Sequence, residues 1–596
     1  MKNFTWTLIA LIAVLAGVLL MLPEPSREAP DSAPAAERTF ITGARVFDGE
    51  EFIDDATLVI AEGRVEALGR DLAVDDDAEI VDAADKTILP GLIDAHVHAY
   101  GPARSEALRF GVTTLLDMFR APFDFGVVQA ERASMAATDR ADLFSAGFLA
   151  TAPGGHGTQY GLELPTLTGP EQAATWVAAR KAEGSDWIKI VIEPGWGAQQ
   201  LPTLDETTVR ALVEAAHAEG LLAVAHVSRL ADARMAVEAG ADGLVHLFGD
   251  HALDPALIGL MQERGVFVVP TLAVMASVYG GSGAADLEQH PVLAARLGTL
   301  QRQTLAQRFA AQGSNRPAWA QVLANVDRLR AAGIPLLAGS DAPNPGTAHG
   351  FSLQHEVRLL VEAGLSPLQA LHAATRAPAL AFGLADRGCL QPGCRADLLI
   401  IDGNPTQDIE DLAMLDAVWK NGVAVTTEQQ TAPAPATAST RAPAGPMDVL
   451  AQRARWVASA DAFMGGNSSA KLLELTAAGL GVQTELAAGA PFPYAGAMWF
   501  ASDTPMQPVD HSPHRSLVVE VDLDGASEGA SLQLMLFSGE SEQAMPARIE
   551  LEPGAPVKVQ LDRVPGLDLP RLRAVGVFVG GAPGSRAFRI RSLVIE

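Results

Sequence analysis

Two histidines one residue apart close an apolar run in "LPGLIDAHVHAY", Leu89 to Tyr100. On a strand, residues i and i+2 face the same side, so His96 and His98 can hold one cation between them. Histidines stand at the ends of later apolar runs too, His226 in "LLAVAHV" and His246 in "GLVHLF", and Asp341 ends "IPLLAGSD". Asp117 lies near another such end. Lys189 is the most informative of the set. The chain has seven lysines, and this one interrupts the apolar run "DWIKIVI". Desolvation disfavours a buried ammonium, and bound metal would repel it. A neutral amine that has captured carbon dioxide becomes a carbamate, whose two oxygens can bridge two cations. Each residue alone has an ordinary reading, a hydrogen-bonded core histidine or a salt-bridged lysine. Four imidazoles, a lysine and a carboxylate at strand ends together point to a metal centre.

Such a centre needs elements that bring distant segments to one place. From Leu89 to about Asp341, eight apolar runs read as buried strands: "LIDAHVH", "TTLLDMF", "LFSAGFLA", "WIKIVI", "LLAVAHV", "GLVHLF", "VFVVPTL" and "IPLLAGSD". Alanine-rich helical stretches lie between several of them, such as "LDETTVRALVEAAHAEG" and "LADARMAVEAGA". Eight βα units over some 250 residues predict a closed (β/α)8 TIM-like barrel, with chemistry at the C-terminal ends of its strands. The glycines of "TAPGGHGTQYG" let that loop lie close to a substrate. There His156 is a candidate to polarise a carbonyl or hold a carboxylate, and Tyr160 is a weaker substrate contact. His349, in "NPGTAHGFSLQHEV", is placed to line the pocket or fix the loop after Asp341. His217 and His372 sit in helical stretches and read as structural. His251, His290, His355, His511 and His514 lack a context that suggests chemistry.

These segments carry a resemblance. "PGLIDAHVH", "DWIKI", "AHV", "VHL" and "AGSDAPNPGTAHG", in this order, are similar to the amidohydrolase superfamily. Within it they resemble the imidazolonepropionase-like branch, which includes Xaa-Pro and Xaa-Arg dipeptidases. "GCLQPGCRADLLIIDGNP" resembles the strand pair that closes the β-domain of that family. The resemblance implies that His96, His98 and Asp341 bind the more buried of two divalent ions, most often zinc. It implies that His226 and His246 bind the second, with carboxylated Lys189 as the bridge. True imidazolonepropionases and the single-metal deaminases lack this bridging lysine, so its presence favours the binuclear hydrolases. Asp341 and His156 become the catalytic candidates, Asp341 moving a proton from water to the leaving amine. The implied substrate is a small amide: a dipeptide, an N-acyl amino acid or a cyclic amide. Two alternatives stay open. One is a single-metal imidazolonepropionase-like or deaminase-like enzyme. The other is an exported glycan-binding protein with a vestigial barrel.

Composition bounds the remainder. At 596 residues the chain is too long for one core. Its net charge of −28 repels phosphate backbones, so nucleic acid is excluded as a partner. Phe4 to Leu22 is uncharged and apolar, so residues 1–22 read as a signal peptide or membrane anchor that sends the body to the periplasm or beyond. Residues 23–38 form a Pro/Ala/Glu-rich tether. Residues 39–89 and 396–426 alternate like strands and make a composite β-sandwich domain around the barrel of 90–395. The two cysteines, Cys389 and Cys394, flank a Gln-Pro-Gly turn that could bring them together as a local disulfide. A Pro/Ala/Thr linker, 427–446, leads to a C-terminal β-sandwich, 447–596. There "DAFMGGNSSAKL", "YAGAMWF" and "MQPVDHS" resemble the CIA30 domain. That domain is related to galactose-binding folds; the resemblance says little about its ligand, and a glycan is a candidate by analogy only. Self-association is left open.

Overall fold

The computed structural model describes residues 38–596 except 76–77, 123, 159–163, 196–199, 310–315, 426–439, 461–467, 487–493, 503–506, 525–529 and 540–545. Residues 1–22, expected to be a signal peptide or anchor, the expected tether to residue 37, most of the expected linker and Tyr160 therefore lie outside the described residues. Among those described, no helix is long and apolar enough to cross a membrane.

Five strands open the fold: β1 (Thr39–Phe47), β2 (Phe52–Ala61), β3 (Arg64–Gly69), β4 (Glu79–Asp82) and β5 (Thr87–Pro90). The chain then enters strands buried along their whole length: β6 (Leu92–Val97), β7 (Val112–Asp117) and β8 (Asp142–Ser145, with Phe144 half-buried). They continue as β9 (Ile188–Ile192), β10 (Ala223–Val227, with His226 half-buried), β11 (Gly243–Val245) and β12 (Phe267–Val269). Unbroken apolar runs are what parallel strands covered on both faces require. Helices Glu206–Ala218 and Leu230–Ala239 follow β9 and β10 as the alanine-rich stretches predict. Asp205 caps the first by accepting from the Thr208 N–H at 2.8 Å. Gly240, in left-handed backbone at φ 97°, ends the second.

β6, β7 and β8 pair in parallel, as do β9 to β12. Single bridges extend the two runs: Ala150 with Ile190, Val268 with Leu336, and Val97 with Ala342. Residues 334–341, predicted as the eighth strand, thus lie between β12 and β6 without becoming a regular strand. The Ala95 N–H bonds the Ala338 carbonyl at 2.9 Å, but the segment then bends at Asp341, whose φ is 55°. Gly339 permits the close approach. A Cβ there would stand 2.5 Å from Val269 Cγ1 and 2.9 Å from the His96 nitrogen.

β13 (Leu398–Ile401), β14 (Leu415–Lys420) and β15 (Val423–Ala424) return to the opening strands. All are hydrogen-bonded into one eight-stranded sheet, in the order β15-β14-β13-β5-β1-β2-β3 with β4 beside β1, where two packed sheets were expected. The reason is that β1 pairs in parallel with both β4 and β5, while β13 adds antiparallel to β5, so both halves share one ladder. A buried ionic cluster locks this sheet to β8. The Lys420 ammonium, fully buried, lies 3.0 Å from Asp142 and 2.7 Å from Asp397. Arg387 donates to the same Asp142 through Nε and Nη2 at 3.0 and 2.8 Å. Cys389 and Cys394 are joined as a disulfide beside it in the chain.

The C-terminal residues form a seven-stranded and a six-stranded sheet around one apolar cluster that includes Trp456, Trp499, Leu534, Val577 and Phe588. Thr440–Arg441 already pairs in parallel with Val509–Asp510, inside the segment expected to be linker.

Candidate metal centre

His96 and Asp341 come together because β6 runs beside residues 334–342. The Asp341 N–H donates to the His96 carbonyl at 2.8 Å. Asp94 ties the same two segments, accepting from the Ser340 N–H and hydroxyl at 2.9 and 2.6 Å. Burial pushes its carboxyl up to about 7. Asp341 Oδ1 then stands 3.2 Å from His96 Nε2 and 3.1 Å from His98 Nε2, and its Oδ2 is 3.9 Å from His246 Nδ1. Burial works against ionisation of Asp341, but His96, His98 and His246 outweigh it and hold the carboxyl well below its usual range.

His246 follows β11 directly. Its ring is 4.7 Å from that of His96 and 4.6 Å from that of His226, at the end of β10. Donor atoms of His96, His246 and Asp341 all lie within 4.8 Å of one another, a spacing one metal ion can span. His246 Nδ1 faces the Thr271 hydroxyl at 2.8 Å. Burial, with His226 nearby, holds the His246 imidazole well below its ordinary value, which keeps it neutral and able to ligate. His246, Thr271 and Asp341 have φ of 68°, 50° and 55°. Non-glycine residues in this region cost about 1–3 kcal/mol each and gather where geometry is demanding.

Lys189 on β9 is 3% exposed, and its Nζ has no hydrogen-bond partner. Burial lowers its ammonium to about 7, against the pull of Asp341 and Asp117. His96 Nδ1 and Nε2 and Asp341 Oδ1 are also buried without hydrogen-bond partners. Buried polar atoms are normally satisfied. Buried imidazoles, a carboxylate and an amine whose charged form burial disfavours, each with an atom lacking a hydrogen-bond partner, are a donor set that a divalent cation fits.

Of the remaining candidates, His156 stacks on His226 with ring centres 5.1 Å apart, so the structure brings it to the centre. Burial and the neighbouring His226 lower its imidazole. His349 sits to one side, edge-on to Tyr100 at 6.4 Å and lining a small cavity with Glu106, Gln301 and Thr304. Asp117 accepts from the Ala99 N–H at 2.7 Å and from the Ser145 hydroxyl at 2.5 Å, so it braces the loop after His98. His217 bonds Asp242 at 2.9 Å on the surface, as a structural residue would.

Two carboxylates escaped the sequence reading. Glu193 follows β9, is 2% exposed, and places Oε2 3.3 Å from His226 Nε2. Glu356 is fully buried in helix Phe351–Glu362 and accepts from the Ala273 N–H at 2.7 Å, two residues after Thr271. The signal for Glu193 was present: an acid closing "WIKIVIE" stands at the end of a parallel strand, where chemistry collects.

Residues 87–427, more than half the chain, match the amidohydrolase family. An ochratoxinase of Aspergillus niger is 23% identical over 397 residues, 56% of this chain and 75% of that one. Its crystal structure aligns with a TM-score of 0.51 and 22% identity over 65% of this chain and 95% of that one. An imidazolonepropionase of Chromobacterium violaceum is 25% identical over 395 residues, 59% of this chain and 86% of that one. A crystal structure of a Xaa-Pro dipeptidase with methionine in its active site aligns with a TM-score of 0.54 and 22% identity. It covers 65% of this chain and all of that one.

Proposed function

The chain belongs to the amidohydrolase family, and on that premise we propose that it hydrolyses small amides with two divalent ions at the mouth of a closed (β/α)8 barrel. Zinc is the first choice of metal. His96, His98, His226, His246, Asp341 and carboxylated Lys189 would hold the pair. The observation that carries this reading is Lys189, whose amine is buried and without a hydrogen-bond partner beside orphaned donors of His96 and Asp341. An ordinary buried lysine would show a salt bridge, as Lys420 does.

Bound there, divalent ions would acidify water and polarise the scissile carbonyl. The chain supplies the rest. The Lys189 amine, lowered by burial, is neutral often enough near pH 7 to bond the carbon of carbon dioxide and release a proton. Asp341, kept ionised by its imidazole neighbours, accepts the proton of the attacking water and returns it to the leaving nitrogen. Such transfer contributes about 10²–10⁴ in rate. His156, over the His226 ring, is placed to polarise the carbonyl or hold a substrate carboxylate. The substrate would be a dipeptide, an N-acyl amino acid or a cyclic amide. The names of the ochratoxinase, imidazolonepropionase and dipeptidase relatives support a hydrolase acting on carbon–nitrogen bonds.

A single-metal reading has one observation in its favour: the tightest donor cluster is His96, His246 and Asp341, without His226. Metal content per chain separates the two readings. The function is tested by screening zinc-loaded protein on dipeptide and N-acyl amino acid libraries. Metal-dependent amine release is expected, and a metal-replete protein that cleaves no amide sinks the proposal.

We also read the protein as exported through residues 1–22. The Cys389–Cys394 disulfide suits an oxidising compartment, and fractionation of the source cells checks it. The C-terminal unit is read as a CIA30-like sandwich with a glycan ligand, tested by glycan pull-down.

A further inference from the structure

His226 differs from the other imidazoles of the centre in having a carboxylate of its own. Glu193 Oε2 lies 3.3 Å from its Nε2. The carboxylate is held from its other side, since Oε1 accepts the Gly195 N–H at 2.7 Å. Gly195 itself has φ 100°, a left-handed conformation that glycine adopts at no steric cost. The Glu193 N–H in turn donates to the Thr203 hydroxyl at 3.0 Å. Glu193 is therefore a fixed acceptor, 2% exposed and anchored at both backbone and side chain.

An ionised carboxylate can only accept, so the imidazole nitrogen facing it must carry the proton. With Nε2 protonated, the lone pair of neutral His226 is on Nδ1. We propose that Glu193 is a positioning residue for the second metal: it fixes the His226 tautomer and ring orientation so that Nδ1 is the ligating atom. This rests on the two-metal reading and adds to it. Partners of this kind typically change metal affinity 10–100-fold when removed.

The test compares wild type, Glu193→Ala, Glu193→Gln and His226→Ala by zinc content and by chelator competition, with circular dichroism as the check on folding. Glu193→Ala is expected to weaken one zinc by about 10–100-fold and leave the other unchanged. Glu193→Gln, whose amide oxygen still accepts from Nε2–H, should restore most of the loss. Wild-type affinity for both zincs in Glu193→Ala, with one zinc lost in His226→Ala, overturns the role of Glu193 alone. Two zincs retained in His226→Ala remove His226 as a ligand and overturn this proposal while leaving two metals in place, whereas a single zinc in wild type overturns the two-metal reading and this proposal together. Nitrogen-15 spectra of histidine-labelled, zinc-loaded wild type need no variant. They should show His226 protonated at Nε2 and ligating through Nδ1, and the opposite tautomer overturns the assignment.

Discussion

Asp341 sits at φ 55°, its Oδ1 3.2 and 3.1 Å from two imidazole nitrogens and its Oδ2 3.9 Å from a third. Asparagine tolerates that backbone conformation better than most residues, so Asp341→Asn tests charge rather than shape. Turnover should fall by roughly two orders of magnitude or more, with the fold intact by circular dichroism. Near-normal turnover with metals retained excludes Asp341 as the proton carrier. Lys189→Ala makes a different demand. If a carbamate bridges two cations, the variant loses one ligand from each, so the second metal should leave first and activity should collapse. A small carboxylic acid that fits the vacated space should restore part of it. Arginine should not substitute, because its guanidinium stays protonated and cannot capture carbon dioxide. A folded Lys189→Ala protein with two metals and full activity would demote Lys189 to an ordinary buried lysine.

At the scale of elements, helix Phe351–Glu362 carries a titratable group far from its ordinary state. Burial raises the Glu356 carboxyl from 4.5 to about 8, against the pull of the Leu272 and Ala273 N–H groups. Folded protein therefore keeps this proton over a range in which unfolded chain has lost it. The contribution to stability is fullest below pH 4.5, declines as pH rises to about 8, and is level above that. Glu356→Gln keeps an acceptor for Ala273 and cannot ionise. Chemical unfolding should show a flatter pH dependence over that window and a gain of about 1 kcal/mol or more at pH 8. A variant that is less stable than wild type at pH 8 would show that the carboxyl does more for the Thr271 turn than burial costs it. The strands that carry the centre were legible because parallel strands are continuously apolar, and a histidine or lysine at their ends breaks that pattern visibly. Residues 334–341 were read as a strand from the same pattern, but apolarity does not report the bend that Asp341 imposes. Glu356 was missed for a related reason. Its importance comes from a partner 83 positions away along the chain, Ala273, and no local period encodes that. Glu193 stood at a readable strand end, and what local pattern hid was its partner His226, 33 positions on. The single sheet formed by β1–β5 and β13–β15 depends on pairings between segments about 300 residues apart, such as Leu398 with Pro90, which is again invisible to local pattern.

For the whole molecule, the question is whether the C-terminal sheets contribute to catalysis. Their apolar cluster, from Ala442 to Ile595, shares no residue with the cluster under the metal centre, which ends at Val425. Every donor named at the centre lies before residue 350, and among the described residues the last strand of the eight-stranded sheet ends at Ala424. The two apolar clusters are thus each built from one side of residues 426–439, a stretch rich in Thr, Ala, Pro and Gln that offers little to bury. The pairing of Thr440–Arg441 with Val509–Asp510 places the start of the second unit at or before Thr440, earlier than composition alone suggests. Limited proteolysis should cut between Val425 and Thr440 and yield two fragments that remain folded. The larger should keep its metals and hydrolyse the same amides at close to the rate of the intact protein, and the smaller should retain any glycan binding. Loss of metal or turnover on cutting, with both fragments still folded, would mean that the C-terminal unit completes the site, and the boundary drawn here would fall.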